Sequence, residues 1–172
     1  MPLSMSQASA PRFAHMLRNL SAILAKAQAH CEARKLDPLV LTAARLYLDM
    51  FPLSRQVQIA CDSAKGAVAR LAGVEAPKHE DTEKTFEELQ ARIARTLEFI
   101  ASVPPAQIDG SEEREIVIKL RGSDVHFSGA QFLLGFAWPN FYVHAATAYD
   151  ILRHNGVELG KRDFLGSVGG GA

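Results

Sequence analysis

Apolar residues recur at three- and four-residue steps along most of this chain, the spacing of a helix with one buried face. Phe13, Leu17, Leu20, Leu24, Ala27 and Cys31 form the first stripe. It predicts a helix over residues 10–34, stopped at Asp37-Pro38 because the residue before a proline is pushed out of the helical region. A second helical region is predicted in two pieces. Residues 41–50 are helical in pattern, and Phe51-Pro52 forces a kink or restart. Residues 53–71 then carry Val57, Ala60, Ala64 and Val68 or Leu71 inward. Gly73 is placed to end this piece. After a linker over 74–80, Thr82 and Thr85 both offer N-caps. A third helix buries Phe86, Leu89, Ile93, Leu97 and Ile100, turns a charged face with Glu87, Glu88, Arg92 and Arg95 outward, and stops at Pro104-Pro105.

Residues 106–129 break the helical pattern. Glu115 to Leu120 is rich in β-branched residues, Gly122-Ser123-Asp124 signals a turn, and Val125-His126-Phe127 follows, which predicts a small β-hairpin across one end of the molecule. The last long helix is expected over 129–154 with a kink at Pro139. Its inner stripe is Phe132, Phe136, Asn140, His144 or Val143, Thr147 and Ile151, and Asn155-Gly156 caps it. Lys161-Arg162-Asp163 reads as a solvated turn pinned back by Phe164 and Leu165. The fold class is therefore all-α, a four-helix bundle with a small β-hairpin between helices 3 and 4. Residues 1–166 make one domain and 167–172 a loose glycine-rich tail. The linker after Gly73 is long enough to span roughly 26 Å when extended, so both a crossover and a simple antiparallel connection stay open.

Composition narrows the function classes. A chain of 172 residues suits one domain with a sizeable core. Lys plus Arg and Asp plus Glu number 19 each, so no electrostatic footprint for nucleic acid exists. No apolar run approaches the roughly 18 residues of a membrane helix; Phe132 to Trp138 is the longest, and Gly135 interrupts it. Met1 to Pro11 lacks the charged start and apolar stretch of a signal peptide. A cytoplasmic location and no membrane partner are expected. Cys31 and Cys61 are isolated, with no CxxC, and read as structural.

Chemistry is hinted at in one place. Asn140 and His144 stand at i and i+4, so both project from one face of the last helix. Polar groups on an apolar stripe need partners. Asp49, just before the Phe51-Pro52 break, is the best third residue from another helix. A His, a carboxylate and an amide oxygen could hold a divalent ion with open water positions. Alternatively, Asn140 bonds a helix end or the hairpin, His144 is a satisfied core histidine, and Asp49 pairs with Arg45. His15, His30, His79, His126 and His154 read as surface, linker or helix-end residues. No zincin motif, Gly-x-Ser-x-Gly or phosphate loop occurs.

Two stretches carry a family resemblance: Leu46–Gln56 with Asp-Met-Phe-Pro-Leu, and Pro139-Asn140-Phe141-Tyr142-Val143-His144 through Ile151-Leu152-Arg153-His154-Asn155-Gly156 to Leu159-Gly160-Lys161. They resemble an uncharacterised bacterial family of the DinB-like superfamily of proposed metalloenzymes. The resemblance covers nearly the whole chain and implies an often dimeric four-helix bundle. Superfamily relatives include thiol-dependent transferases and isomerases and metal-dependent hydrolases. Their usual metal ligands are three histidines, and those positions fall on Asp49, Asn140 and His144 here, of which His144 alone keeps the type. One expectation is thus a metal-dependent enzyme acting on a small molecule, with Ni, Zn or Mn as cofactor. The other is a non-catalytic ligand-binding or dimeric interaction bundle with a degenerate metal site, whose aromatics Phe136, Trp138, Phe141, Tyr142 and Tyr149 line a pocket or a dimer face. A homodimer is expected in either case.

Overall fold

The computed structural model describes residues 3–167; the glycine-rich tail expected over 167–172 therefore lies, beyond Ser167, outside the described residues. Four long helices carry the architecture: α2 (Ala10–Arg34), α4 (Leu53–Ala72), α5 (Phe86–Ser102) and α8 (Trp138–His154). Short helices α1 (Met5–Ala8), α3 (Pro38–Thr42), α6 (Pro105–Ile108), α7 (Gly129–Phe132) and α9 (Lys161–Leu165) join or brace them. Strands β1 (Ile116–Leu120) and β2 (Ser123–Phe127) form an antiparallel hairpin in which Ile118 faces Val125. Among the described residues no helix is long and apolar enough to cross a membrane.

The stripes read for α2 and α4 become the core, whereas on α8 the buried face is Phe141, Ala145, Ala148 and Leu152 with Thr147 and Ile151, Asn140 and His144 lie half-buried at its edge, and Val143 is exposed. Phe13, Leu17, Leu20, Leu24, Ala27 and Cys31 of α2 are all buried, as are Val57, Ala60, Ala64, Val68 and Leu71 of α4. Phe13 meets Phe141 of α8 edge-on, with ring centroids 5.0 Å apart, a geometry that suits the aromatic quadrupole. Helix ends follow local chemistry. Thr85 and Glu88 make a reciprocal capping box at the start of α5, and Gly73 ends α4 with φ at 70°, a conformation glycine adopts freely.

The connections settle the topology. α4 is flanked by α5 and α8, and α5 also packs on α2, whereas α2 and α4 touch only sparsely. Consecutive long helices are thus not always principal neighbours. Gln58 of α4 meets Glu83 just before α5, Asp62 meets Arg92, and Phe99 lies beside Glu75 past the end of α4, so α4 and α5 run parallel and the linker after Gly73 is the crossover.

Four expectations need correction. Residues 41–50 are not one helix. α3 stops at Thr42, and the chain then loops until the Leu53 amide donates to the Ala44 carbonyl at 2.9 Å. Leu46, Tyr47 and Leu48 are exposed there, so the helical spacing had nothing to pack against. Arg92 is not on an outer charged face; it is fully buried. The break expected at Pro139 takes the form of a π-helical turn over Leu133–Ala137, directly before α8. The Lys161-Arg162-Asp163 turn is helical and docked: Asp163 pairs with Lys26 at 2.6 Å, and Phe164 meets Tyr149 at 5.7 Å.

Candidate functional site

α4 and α8 make the most extensive helix–helix contact in the molecule, and the polar residues of α8 meet polar residues of α4 along it. His144 Nδ1 lies 2.7 Å from Gln56 Oε1, and Asn140 Nδ2 donates to Ser63 Oγ at 2.7 Å. The higher number on α4 meets the lower on α8, which shows the two helices antiparallel.

The Gln56 contact fixes a protonation state. Its Nε2 donates to the Phe51 carbonyl at 3.1 Å. A carbonyl accepts only, so the Gln56 amide is oriented with Oε1 toward the imidazole. His144 Nδ1 must then carry the proton, and in the neutral ring Nε2 holds the lone pair. Neutrality is favoured: burial, and then the Arg55 charge, pull the His144 pKa below its ordinary value. Among the described residues Nε2 has no hydrogen-bond partner, and it is not among the fully buried unpaired atoms, so it opens to solvent.

Asp49 occupies an exposed turn between α3 and α4. Among the described residues, no side-chain hydrogen bond or ion pair joins it to Asn140, His144 or Arg45; the Arg45 guanidinium donates instead to the Met50 carbonyl at 2.7 Å. No group of three or more His, Cys, Asp or Glu side chains among the described residues is arranged to hold a metal ion. The hydrogen bonds bring together the His144 imidazole, the Asn140 amide and their α4 partners Gln56 and Ser63.

Gln56 and Ser63 were missed as site residues by sequence reasoning. The available signal was Gln56 beside the inward Val57, a polar side chain on a buried face.

Beside Asn140 lies a cleft of about 200 Å³ bounded by α4, β1, the π-helical turn and α8. The hairpin does cover one flank: Ile118 reaches this cleft. Phe127, Phe132 and Phe136 cluster behind it, with centroids 5.8–6.2 Å apart.

Below the cleft is an ion cluster that the pattern of α5 did not reveal. Arg92 donates to Glu83 Oε2 at 2.9 Å, to Asp62 Oδ2 at 2.9 Å and to the Glu80 carbonyl at 3.0 Å, and it pairs with Asp81 at 3.0 Å. Lys65, also buried, pairs with Asp62 at 2.9 Å. The cluster ties the linker before α5 to α4. His79 of that linker is held neutral by burial, then by the charges of Lys65, Arg92 and Arg95. The remaining histidines stay peripheral: His126 is exposed beside Glu115, and His15 contacts the Leu165 carbonyl. Cys31 and Cys61 are free and buried, and burial pushes the Cys61 thiol up to about 12.

Residues 5–165 match the family described as a domain of unknown function, DUF1993. The chain is similar to a DinB family member protein from Shewanella denitrificans of known crystal structure, with 44% identity, a TM-score of 0.87, and coverage of 97% of this chain and 94% of that one. No curated protein matches. The chain, an all-α bundle carrying a small hairpin, belongs to the DUF1993 family of DinB-like proteins.

Proposed function

We propose that this protein binds a small polar molecule at the α4–α8 seam, and that the family's metal position here serves as a hydrogen-bonding site. The observation that supports this most is the Phe51–Gln56–His144 chain. It commits the Nδ1 proton inward and turns an acceptor nitrogen outward. Asn140 spends an amide hydrogen on Ser63 one turn away. A structural or catalytic zinc takes three or four protein ligands; one imidazole and one amide, with Asp49 on an exposed turn, fall short. Two fixed polar side chains suffice to orient an organic ligand. The test is a fragment titration followed by amide NMR, using small alcohols, amides, amines and carboxylates. Shifts should cluster at Gln56, Ser63, Asn140 and His144; a set that moves none of them refutes the reading.

A metal-dependent enzyme is the second reading. Its support is that an imidazole whose Nδ1–H is held by an acceptor is the arrangement that orients metal-binding histidines. Protein purified without an affinity tag should contain substoichiometric metal, and Zn²⁺, Ni²⁺ and Mn²⁺ should leave its melting temperature unchanged. One bound equivalent that His144→Ala removes would replace the first reading by the second.

We further propose a homodimer. Leu39, Val40, Tyr47, Leu48 and Phe51 are exposed on the segment around α3, Leu48 at 87%. Tyr142 and Val143 of α8 are exposed beside His144. Apolar clusters of this kind mark association surfaces. Sedimentation should give a dimer that Leu48→Glu dissociates; a monomer at micromolar concentration contradicts it.

A further inference from the structure

We propose that the cleft beside Asn140 binds a small organic anion with an apolar body, an aromatic or branched aliphatic carboxylate, and that Arg70 grips its charge. This names the ligand class for the small-molecule reading above and rests on it.

The size and the walls of the cleft carry the first part. It holds about 200 Å³, and a cavity of about 150 Å³ already admits benzene. One ring and a carboxylate therefore fit. Ile118, Phe132 and Phe136 supply an apolar wall, and Ser63, Asn140 and Arg70 a polar one. The division matches a ligand with one greasy and one charged end. The π-helical turn that delivers Phe136 is itself a rare element of the sort that recurs at functional sites.

Arg70 carries the second part. Among the described residues its one hydrogen bond runs from Nη1 to the Gly66 carbonyl at 3.0 Å, and no carboxylate pairs with it. The other guanidinium N–H groups are free for the planar, two-pronged contact that arginine makes with a carboxylate. Gly66 holds it in place. A Cβ at position 66 would stand 2.6 Å from Nη1, so only glycine lets the guanidinium lie back along α4. Asp62 also faces the cleft, but Lys65 and Arg92 each pair with it at 2.9 Å. Its charge is spent, and an incoming anion meets Arg70 instead.

The experiment titrates the labelled full chain with sodium benzoate and, separately, with benzyl alcohol, which keeps the ring and drops the charge. Saturable benzoate shifts are expected at Ser63, Arg70, Phe136 and Asn140. The alcohol should bind roughly tenfold more weakly, the order of a charge-assisted hydrogen bond. Arg70→Gln should bring benzoate down to the level of the alcohol. Gly66→Ala should weaken benzoate binding while raising the melting temperature, because alanine favours the helix and the displaced group is the far end of a flexible side chain. That opposite movement separates lost binding from lost folding. Equal affinity for both probes, or undiminished benzoate binding in Arg70→Gln, overturns the anion assignment and leaves a ligand-binding cleft. Silence of both probes at the cleft, with other fragments still shifting Gln56 and His144, overturns the cleft and leaves the seam. Silence of every fragment at both places removes both readings.

Discussion

Replacing Gln56 by leucine strips both ends of the Phe51–Gln56–His144 chain while keeping a side chain of similar reach. Gln56 is 3% exposed, and its amide spans 2.7 Å to His144 and 3.1 Å to the Phe51 carbonyl. The variant leaves one N–H and one C=O without partners. A buried unsatisfied group costs about 1–3 kcal/mol. Water recovers part of the N–H cost, since His144 is half-buried, and the apolar leucine offsets part of the rest. The net loss should be about 1–2 kcal/mol, or about 2–8 °C in melting temperature for a chain of this size. His144→Phe alone removes the same N–H. In the double variant the second replacement has no bond left to break, so a coupling energy of about 1 kcal/mol is expected. Urea denaturation of the four proteins measures it, with constant slopes as the check on comparability. Losses that add to within about 0.3 kcal/mol would show that the two side chains share no bond.

Acid should weaken the fold through His144 and His79. Both are held below the ordinary 6.5, so as pH falls from 6.5 toward the lowered folded values the unfolded chain takes up protons first and stability drops. Above that window neither contributes. His144→Phe should flatten the slope, and an unchanged slope would contradict its neutral state. Arg92→Met should cost about 3 kcal/mol in urea denaturation, because the buried Glu83 loses its buried cation and keeps only the exposed Arg95; a loss below about 1 kcal/mol would show the cluster to be solvated. Neither Cys31 nor Cys61 should react with Ellman's reagent in the native protein, and both should after denaturation, since burial keeps them as thiols. A native protein that titrates one thiol would contradict the burial of that cysteine.

The long helices were legible because each stripe faces one core. Phe13 to Cys31, Val57 to Leu71 and Phe86 to Ile100 keep their spacing without interruption, and Gly73 and Thr85 mark ends by local backbone chemistry. Residues 41–50 show the limit of that reasoning. Their spacing is helical, but Leu46 to Leu48 meet no partner, and the Leu53–Ala44 hydrogen bond folds the chain into a loop instead. Arg92 lies beside Ile93 and looks like an outer residue until the linker carrying Glu80, Asp81 and Glu83 folds over it. That closure is a tertiary event with no periodic trace. In the candidate site, Asn140 and His144 could be found as polar residues on an apolar stripe. Gln56, Ser63 and Arg70 could not be joined to them, because the pairing depends on the antiparallel register of α4 on α8 and on the space left at Gly66.

The account stands on the orientation of one imidazole. Long-range proton–nitrogen NMR of His144 at neutral pH reads its tautomer directly. The hydrogen-bond chain through Gln56 requires a neutral ring with the proton on Nδ1 and a bare Nε2. A proton on Nε2, or an imidazolium at that pH, would contradict it.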